Sequence, residues 1–312
     1  MFDGCSAFNQ SLGDWNVSNV TNMARMFTGC SSFNKPINNW NVSNVDNMDW
    51  MFANATIFNQ DISGWDVSNV TNLSFTFDSA ISFNGDISNW NVSNVSTMRA
   101  LFANSNFNQS ISNWNVSSVT TMESMFNNAG SFNQNLNDWN VSKVTNMWAM
   151  FVNASRFNGD IGNWDVSSVT NMESMFNGAE DFNQDLNDWN VSRVTNMWAM
   201  FANASTFNGI INNWDVSAVT NMESMFSGAL LFNRALNNWD VSSVDRMKYM
   251  FYNSDSFNQN LSAWCVPQFD QQPDGFNFSG IISNENLPVW GTCPSNHNSG
   301  GSGGSGAGST GS

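Results

Sequence analysis

Residues 175–199 read MFNGAEDFNQDLNDWNVSRVTNMWA, and residues 200–224 read MFANASTFNGIINNWDVSAVTNMES. The second stretch restates the first at its large apolar positions: Phe176 and Phe201, Phe182 and Phe207, Trp189 and Trp214, Val191 and Val216, Met197 and Met222. Numbered from its first methionine, the shared unit is M-F-x-x-A-x-x-F-N-Q-x-I-x-x-W-D-V-S-x-V-T-N-M-x-x, 25 positions long. Self-similarity at such a period signals a solenoid. Working outward, ten copies run from Met1, and an eleventh runs into the C-terminal segment at Trp264. The copy that starts at Leu101 is one residue short between Phe102 and Phe107.

The repeat accounts for the composition. All 18 Met stand at repeat positions 1 and 23, 22 of the 26 Phe at positions 2 and 8, and 11 of the 15 Trp at position 15. One copy cannot bury so much apolar surface alone, so these positions are read as columns running through a stack. Strand spacing of about 4.8 Å per coil would make a rod roughly 50 Å long. Asn9, Asn34, Asn59 and their equivalents form a polar column whose amides can bond from coil to coil.

Periodicity changes inside the unit. Trp65 and Val67 alternate with polar residues, the spacing of a short strand. The positions of Val70, Met172, Met175, Phe176 and Ala179 recur every three or four residues, which reads as about two turns of helix. The Ser167-Ser168-Val169-Thr170 segment supplies N-cap hydroxyls before it. The expected fold is therefore an α/β solenoid with one short parallel strand and one short helix per coil.

Charge narrows the function. Charged residues make up only 11% of the chain and the net charge is −16, with nine basic residues scattered singly. No basic stripe exists for nucleic acid or anionic lipid, and no apolar run is long enough to span a bilayer. Met1-Phe2 already falls inside the repeat, so any export signal is expected upstream of this stretch.

The segment Phe58–Asn72, FNQDISGWDVSNVTN, resembles the repeat of the BspA-like surface proteins, which include mycoplasma-type lipoproteins with 25- to 26-residue repeats. Its I-x-x-W-D-V-S-x-V core lines up with the leucine-rich-repeat pattern L-x-x-L-x-L-x-x-N, although Val20 and Val70 stand where that pattern has Asn. The ending, Trp264-Cys265-Val266 and Pro288-Val289-Trp290-Gly291-Thr292-Cys293-Pro294, is similar too. The resemblance covers residues 1 to about 294. It implies a leucine-rich-repeat-like coil, display outside the cell, and for some members adhesion to host proteins or other cells.

Three segments follow: a repeat solenoid over 1–264, a cap over 265–294, and a Gly/Ser-rich linker over 295–312. The cap carries Phe269, Phe276, Phe278, Ile281, Ile282 and Leu287, apolar residues fit to cover the last coil. A Cys265–Cys293 disulfide is expected to close it, contributing about 3 kcal/mol and pointing to an oxidising compartment. Cys5 and Cys30 share repeat position 5 and are read as small buried residues.

Catalysis is not expected. The one histidine, His297, lies in the tail. Asp66, Asp165, Asp215 and Asp240 at position 16 alternate with Asn, so no pair stands out as an acid–base dyad. No cofactor and no metal site are expected; calcium on the acid columns, including Asp61, Asp86, Asp160 and Asp185, is the alternative. The favoured binding surface is the outward strand face: Asn140, Ser142, Asp165, Ser167, Asn190, Ser192, Asp215 and Ser217, facing an extracellular protein or glycan. Trp148 and Trp198 break the pattern at position 24, where Glu123, Glu173 and Glu223 alternate with them. They are candidates for a partner contact or lateral self-association, weighed against tryptophans folded onto a neighbouring coil. A passive spacer and a calcium-dependent assembly module are the other readings of the whole.

Overall fold

The computed structural model describes residues 1–295. Copies stack in register, so each residue meets its equivalent about 25 positions away. Trp139, Trp164 and Trp189 lie face to face at 6.3 and 6.2 Å. Phe151 stacks on Phe157 of its own coil at 3.9 Å and on Phe176 of the next at 5.6 Å. Each position-15 indole N–H after the first coil donates to the position-12 carbonyl of the preceding coil, as Trp164 does to Leu136 at 2.8 Å. This satisfies the polar atom of an otherwise buried ring.

The expected strand and helix are absent, which overturns the α/β, leucine-rich-repeat-like reading. Among the described residues the one regular element is the short 3-10 helix Asn284–Asn286, and pairing between coils is confined to isolated parallel bridges such as Asn146↔Asn171. Each coil is instead a chain of turns. Main-chain N–H groups donate three residues back in Met150→Met147, Ala154→Phe151, Phe157→Ala154, Trp164→Ile161 and Val169→Val166. The three-residue spacing of the apolar side chains is the spacing of these corners, not of a helical face.

Backbone dihedrals show why a helix cannot form there. Ala149 has φ 56° and Asn153 has φ 52°, and positions 25 and 4 of the other coils repeat this left-handed geometry. It costs roughly 1–2 kcal/mol at a residue with a Cβ. Hydrogen bonds to the next coil offset it: Met147 N–H to Asn171 O, Ala149 to Glu173, Phe151 to Met175 and Asn153 to Asn177, at 2.7–3.1 Å. The amide between the first two rungs is met locally, Trp148 N–H donating to Asn146 Oδ1. The segment read as helix is therefore the inter-coil ladder. Across the W-x-V segment, among the described residues, no main-chain bond joins one repeat to the next. Its in-and-out alternation survives, with Trp164 and Val166 buried and Asp165 exposed.

The Asn9 column works as expected in kind. Each Asn Oδ1 accepts the main-chain N–H of its equivalent one coil on, as Asn133 does from Asn158 at 2.9 Å. In the shortened copy Ser105 replaces the missing turn: its hydroxyl donates to Phe102 O and accepts from Phe107 N–H.

The cap closes the stack by continuing the ladder and turning the aromatic column edge-on. Tyr249 N–H and Phe251 N–H donate to Asp274 O and Phe276 O. The buried Phe276 ring meets Phe251 at 88° and Trp290 at 83°. Phe278 departs from the expectation: it is 64% exposed and leans on Tyr252. Cys265 and Cys293 are disulfide-bonded. The linker reading beyond Ser295 lies outside the described residues.

Cys5 is exposed and free, whereas Cys30 is buried with its thiol donating to Phe2 O at 3.0 Å. Burial, reinforced by Cys5, pushes the Cys30 thiol up to about 11. Only the thiolate reacts, so iodoacetamide at pH 8 is expected to modify Cys5 alone in the native protein. Mass spectrometry should count two modified cysteines after unfolding without reductant, and four after reduction.

Candidate binding surface

The position-16 and position-18 strip is built from turns in which the side chains serve each other. The Ser142 hydroxyl and N–H both donate to Asn140 Oδ1, at 2.7 and 3.1 Å. Ser167 does the same to Asp165, Ser192 to Asn190, and Ser217 to Asp215. The strip thus holds the eight expected residues together on one face, but with its hydroxyl protons already committed.

The same bonds set the acidity of the turns. Ser68 holds the Asp66 carboxyl below its ordinary value, and Ser63 and Ser88 do so for Asp61 and Asp86. A lowered folded-state value means stability that is present above the ordinary carboxylate value and lost as pH falls through the lowered one. Asn41 makes the position-16 turn with Ser43, and Asn260 makes the position-11 turn with Ser262, so Asp→Asn preserves the geometry. The triple variant D61N/D66N/D86N is expected to match the parent at pH 5 and to lose less stability than it at pH 2.5, read by urea unfolding.

A second surface rises on the ladder face at positions 24 and 25, where side chains vary from coil to coil. Towards the N-terminus, Arg25 lies over the Trp50 ring at 5.6 Å, Trp50 stacks on Phe75 at 4.1 Å, and Arg99 lies over Phe75 at 5.5 Å. Arg99 also pairs with Glu123 at 3.1 Å. Burial raises the Asp49 carboxyl while Arg25 beside it lowers it. The sequence signal for this stack is Arg25 and Arg99 at repeat positions 25 and 24 of the coils that flank Trp50 and Phe75.

Further along the ladder face, Trp148 and Trp198 are 36% and 39% exposed. The Trp148 indole N–H donates to Glu173 Oε1 at 3.1 Å, and the Asn196 amide donates to Glu173 Oε2 at 2.6 Å. Asn146 holds Glu123 in the same way. Trp148 is thus partly held by the neighbouring coil, and both rings are still open to solvent. Near the C-terminal end, Glu223, Arg246, Lys248, Phe269, Asp270 and Asp274 line an open cleft of about 550 Å³ between the last coil and the cap. Lys248 pairs there with Asp274 at 2.8 Å, which holds the ammonium above its usual value. Among the described residues no three His, Cys, Asp or Glu side chains gather as metal ligands, and no helix is long and apolar enough to cross a membrane.

Comparison with curated proteins returns no match. Among solved structures, the chain aligns with one from the Drosophila Toll–Spatzle complex at 11% identity and a TM-score of 0.29, covering 85% of this chain and 38% of that one. A chain of the TLR13–ssRNA13 complex gives 9%, 0.23, 80% and 48%. The functional domain of InlJ from Listeria monocytogenes, which includes a cysteine ladder, gives 10%, 0.15, 79% and 68%. The chain spans less than half the length of the first two, and scores this low establish no common fold. The model of one sequence family matches residues 1–106, 71–189 and 179–290, nearly the whole described chain. The chain therefore belongs to the DUF285 family, described as Mycoplasma proteins of unknown function.

Proposed function

We propose that the chain is a non-catalytic, BspA-like repeat protein, displayed outside the cell, that binds a protein or glycan partner. One observation carries this reading: the core and turn residues are consumed by stacking, while the position-24 side chains of the ladder face differ from coil to coil and are at least partly exposed in every coil but that of Ser74. Structure of that kind holds a varied surface on a rigid frame. The Cys265–Cys293 disulfide supports an oxidising, extracellular setting. The carboxylates of position 16 are tied to their serines in turns, which supports a structural rather than acid–base role.

The test is an array of glycans and matrix proteins probed with the purified chain, with calcium and with chelator. Calcium-independent capture of a defined partner supports adhesion. Capture only with calcium would replace it by the assembly reading, and silence in both by the passive spacer. Ser142→Ala with Ser167→Ala and Ser192→Ala then tests the serine strip, whose committed hydroxyls favour little loss.

A further inference from the structure

The ladder face contains its own worked example of cation capture. Arg25 lies over the Trp50 ring with its charge felt by the Asp49 carboxylate, and Arg99 lies over the Phe75 ring and pairs with Glu123. Each guanidinium thus has an aromatic face and a carboxylate at positions 24 and 25 of adjacent coils. Aromatic rings attract cations through their quadrupole, and a neighbouring carboxylate adds charge.

Further along, the same two kinds of group recur with no cation, among the described residues, over either indole; within the row Lys248 reaches only Glu223, at its end. Trp148, Glu173, Trp198 and Glu223 follow one another at position 24 of four successive coils. Both indoles are exposed, and the Trp148–Glu173 hydrogen bond couples ring and carboxylate into one unit. Among the described residues, ion pairs are confined to Arg99–Glu123, Arg246–Asp245 and Lys248–Asp274. Two of these flank the row, one at each end. With a net charge of −16, the chain also steers basic partners towards it.

Resting on the adhesive reading above, we propose that this row binds an extended basic segment of a partner protein, each cation seated against an indole and the adjoining carboxylate. Spacing narrows the segment further. Two coils separate Trp148 from Trp198, about 10 Å at strand spacing. A polyproline II segment rises about 9.3 Å per three residues and returns its side chains to the same side at each turn. A basic residue at every third position therefore matches the row.

The probe is a fluorescently labelled (Arg-Pro-Pro)4 peptide, titrated by anisotropy against the full chain. W148A/W198A is expected to raise Kd at least tenfold and the isosteric Glu173→Gln at least threefold. D61N/D86N, which removes charge from another face, should change it less than twofold, and a peptide with its four arginines clustered should bind more weakly. The rings are part-exposed, so the fold should hold; if a melt shows otherwise for the tryptophan pair, Glu173→Gln decides. No binding by the parent chain, equal binding by the row variants, or equal weakening by D61N/D86N overturns the inference. If the row variants still capture an array partner, the adhesive reading stands and this assignment alone falls.

Discussion

Trp164→Ala is expected to destabilise the chain by about 3–5 kcal/mol, the range for a large buried aromatic cut to alanine. The ring is fully enclosed between Trp139 and Trp189, at 6.3 and 6.2 Å. Its indole N–H also satisfies the Leu136 carbonyl of the coil before. In a stack whose stability is a sum of neighbour interfaces, a gap at Trp164 weakens two interfaces near the middle of the chain. Trp164→Phe separates the two contributions. It keeps most of the apolar contact but removes one of two hydrogen bonds to the Leu136 carbonyl, which still accepts from Trp139 N–H, at about 0.5–1.5 kcal/mol. Urea unfolding measures both, and Trp148→Ala, at a part-exposed ring, should cost far less. Equal losses at Trp164 and Trp148 would contradict the burial described.

The second large effect is expected at Gly209. Position 10 alternates glutamine with glycine, as in Gln134 and Gly159, then Gln184 and Gly209. Gln184 reaches back to donate to Asn158 O and Oδ1, at 2.9 and 2.8 Å. Its own carbonyl then lies where a Cβ on Gly209 would stand, with the Phe207 ring crowding the same space. A main-chain carbonyl inside the stack cannot swing aside as a side chain would. Gly209→Ala should therefore cost about 1–3 kcal/mol, as overpacking does. Gly64→Ala is the control, since a Cβ there meets nothing within 4 Å. It should stay within about 0.5 kcal/mol of the parent. Matching urea midpoints for the two variants would refute the close approach of coils at this corner.

These two sites also mark how far the residues alone could be read. The columns of Trp164 and Phe176 followed from their recurrence, because an apolar residue repeated at fixed spacing must be buried against its copies. The Asn133–Asn158 bond and the Cys265–Cys293 bridge followed from position and chemistry in the same way. The path between the columns did not. Val166, Val169, Met172 and Met175 fall three apart, a spacing that a helix and a succession of turns share. What separates them is the left-handed backbone at Ala149 and Ser174, residue types that give no warning of it. Asn153 and Gly178 at position 4 were the legible hint, since both types tolerate that geometry.

The candidate binding surface was legible as an irregularity and not as an arrangement. Trp148 and Trp198 stood out against the repeat, and both are part-exposed. The serine strip stood out for its regularity, yet regularity here reflects turn formation: Ser167 is needed to close the turn at Asp165. The stack of Arg25, Trp50, Phe75 and Arg99 depends on register across four coils, which only the ladder defines.

The ladder can be tested directly by scalar couplings across hydrogen bonds in a deuterated, 15N,13C-labelled sample. The structure predicts correlations from the amides of Met147, Ala149, Phe151 and Asn153 to the carbonyls of Asn171, Glu173, Met175 and Asn177. A helical coil would instead connect Phe151 N–H to the Met147 carbonyl four residues back, and finding that correlation would contradict the turn-built stack.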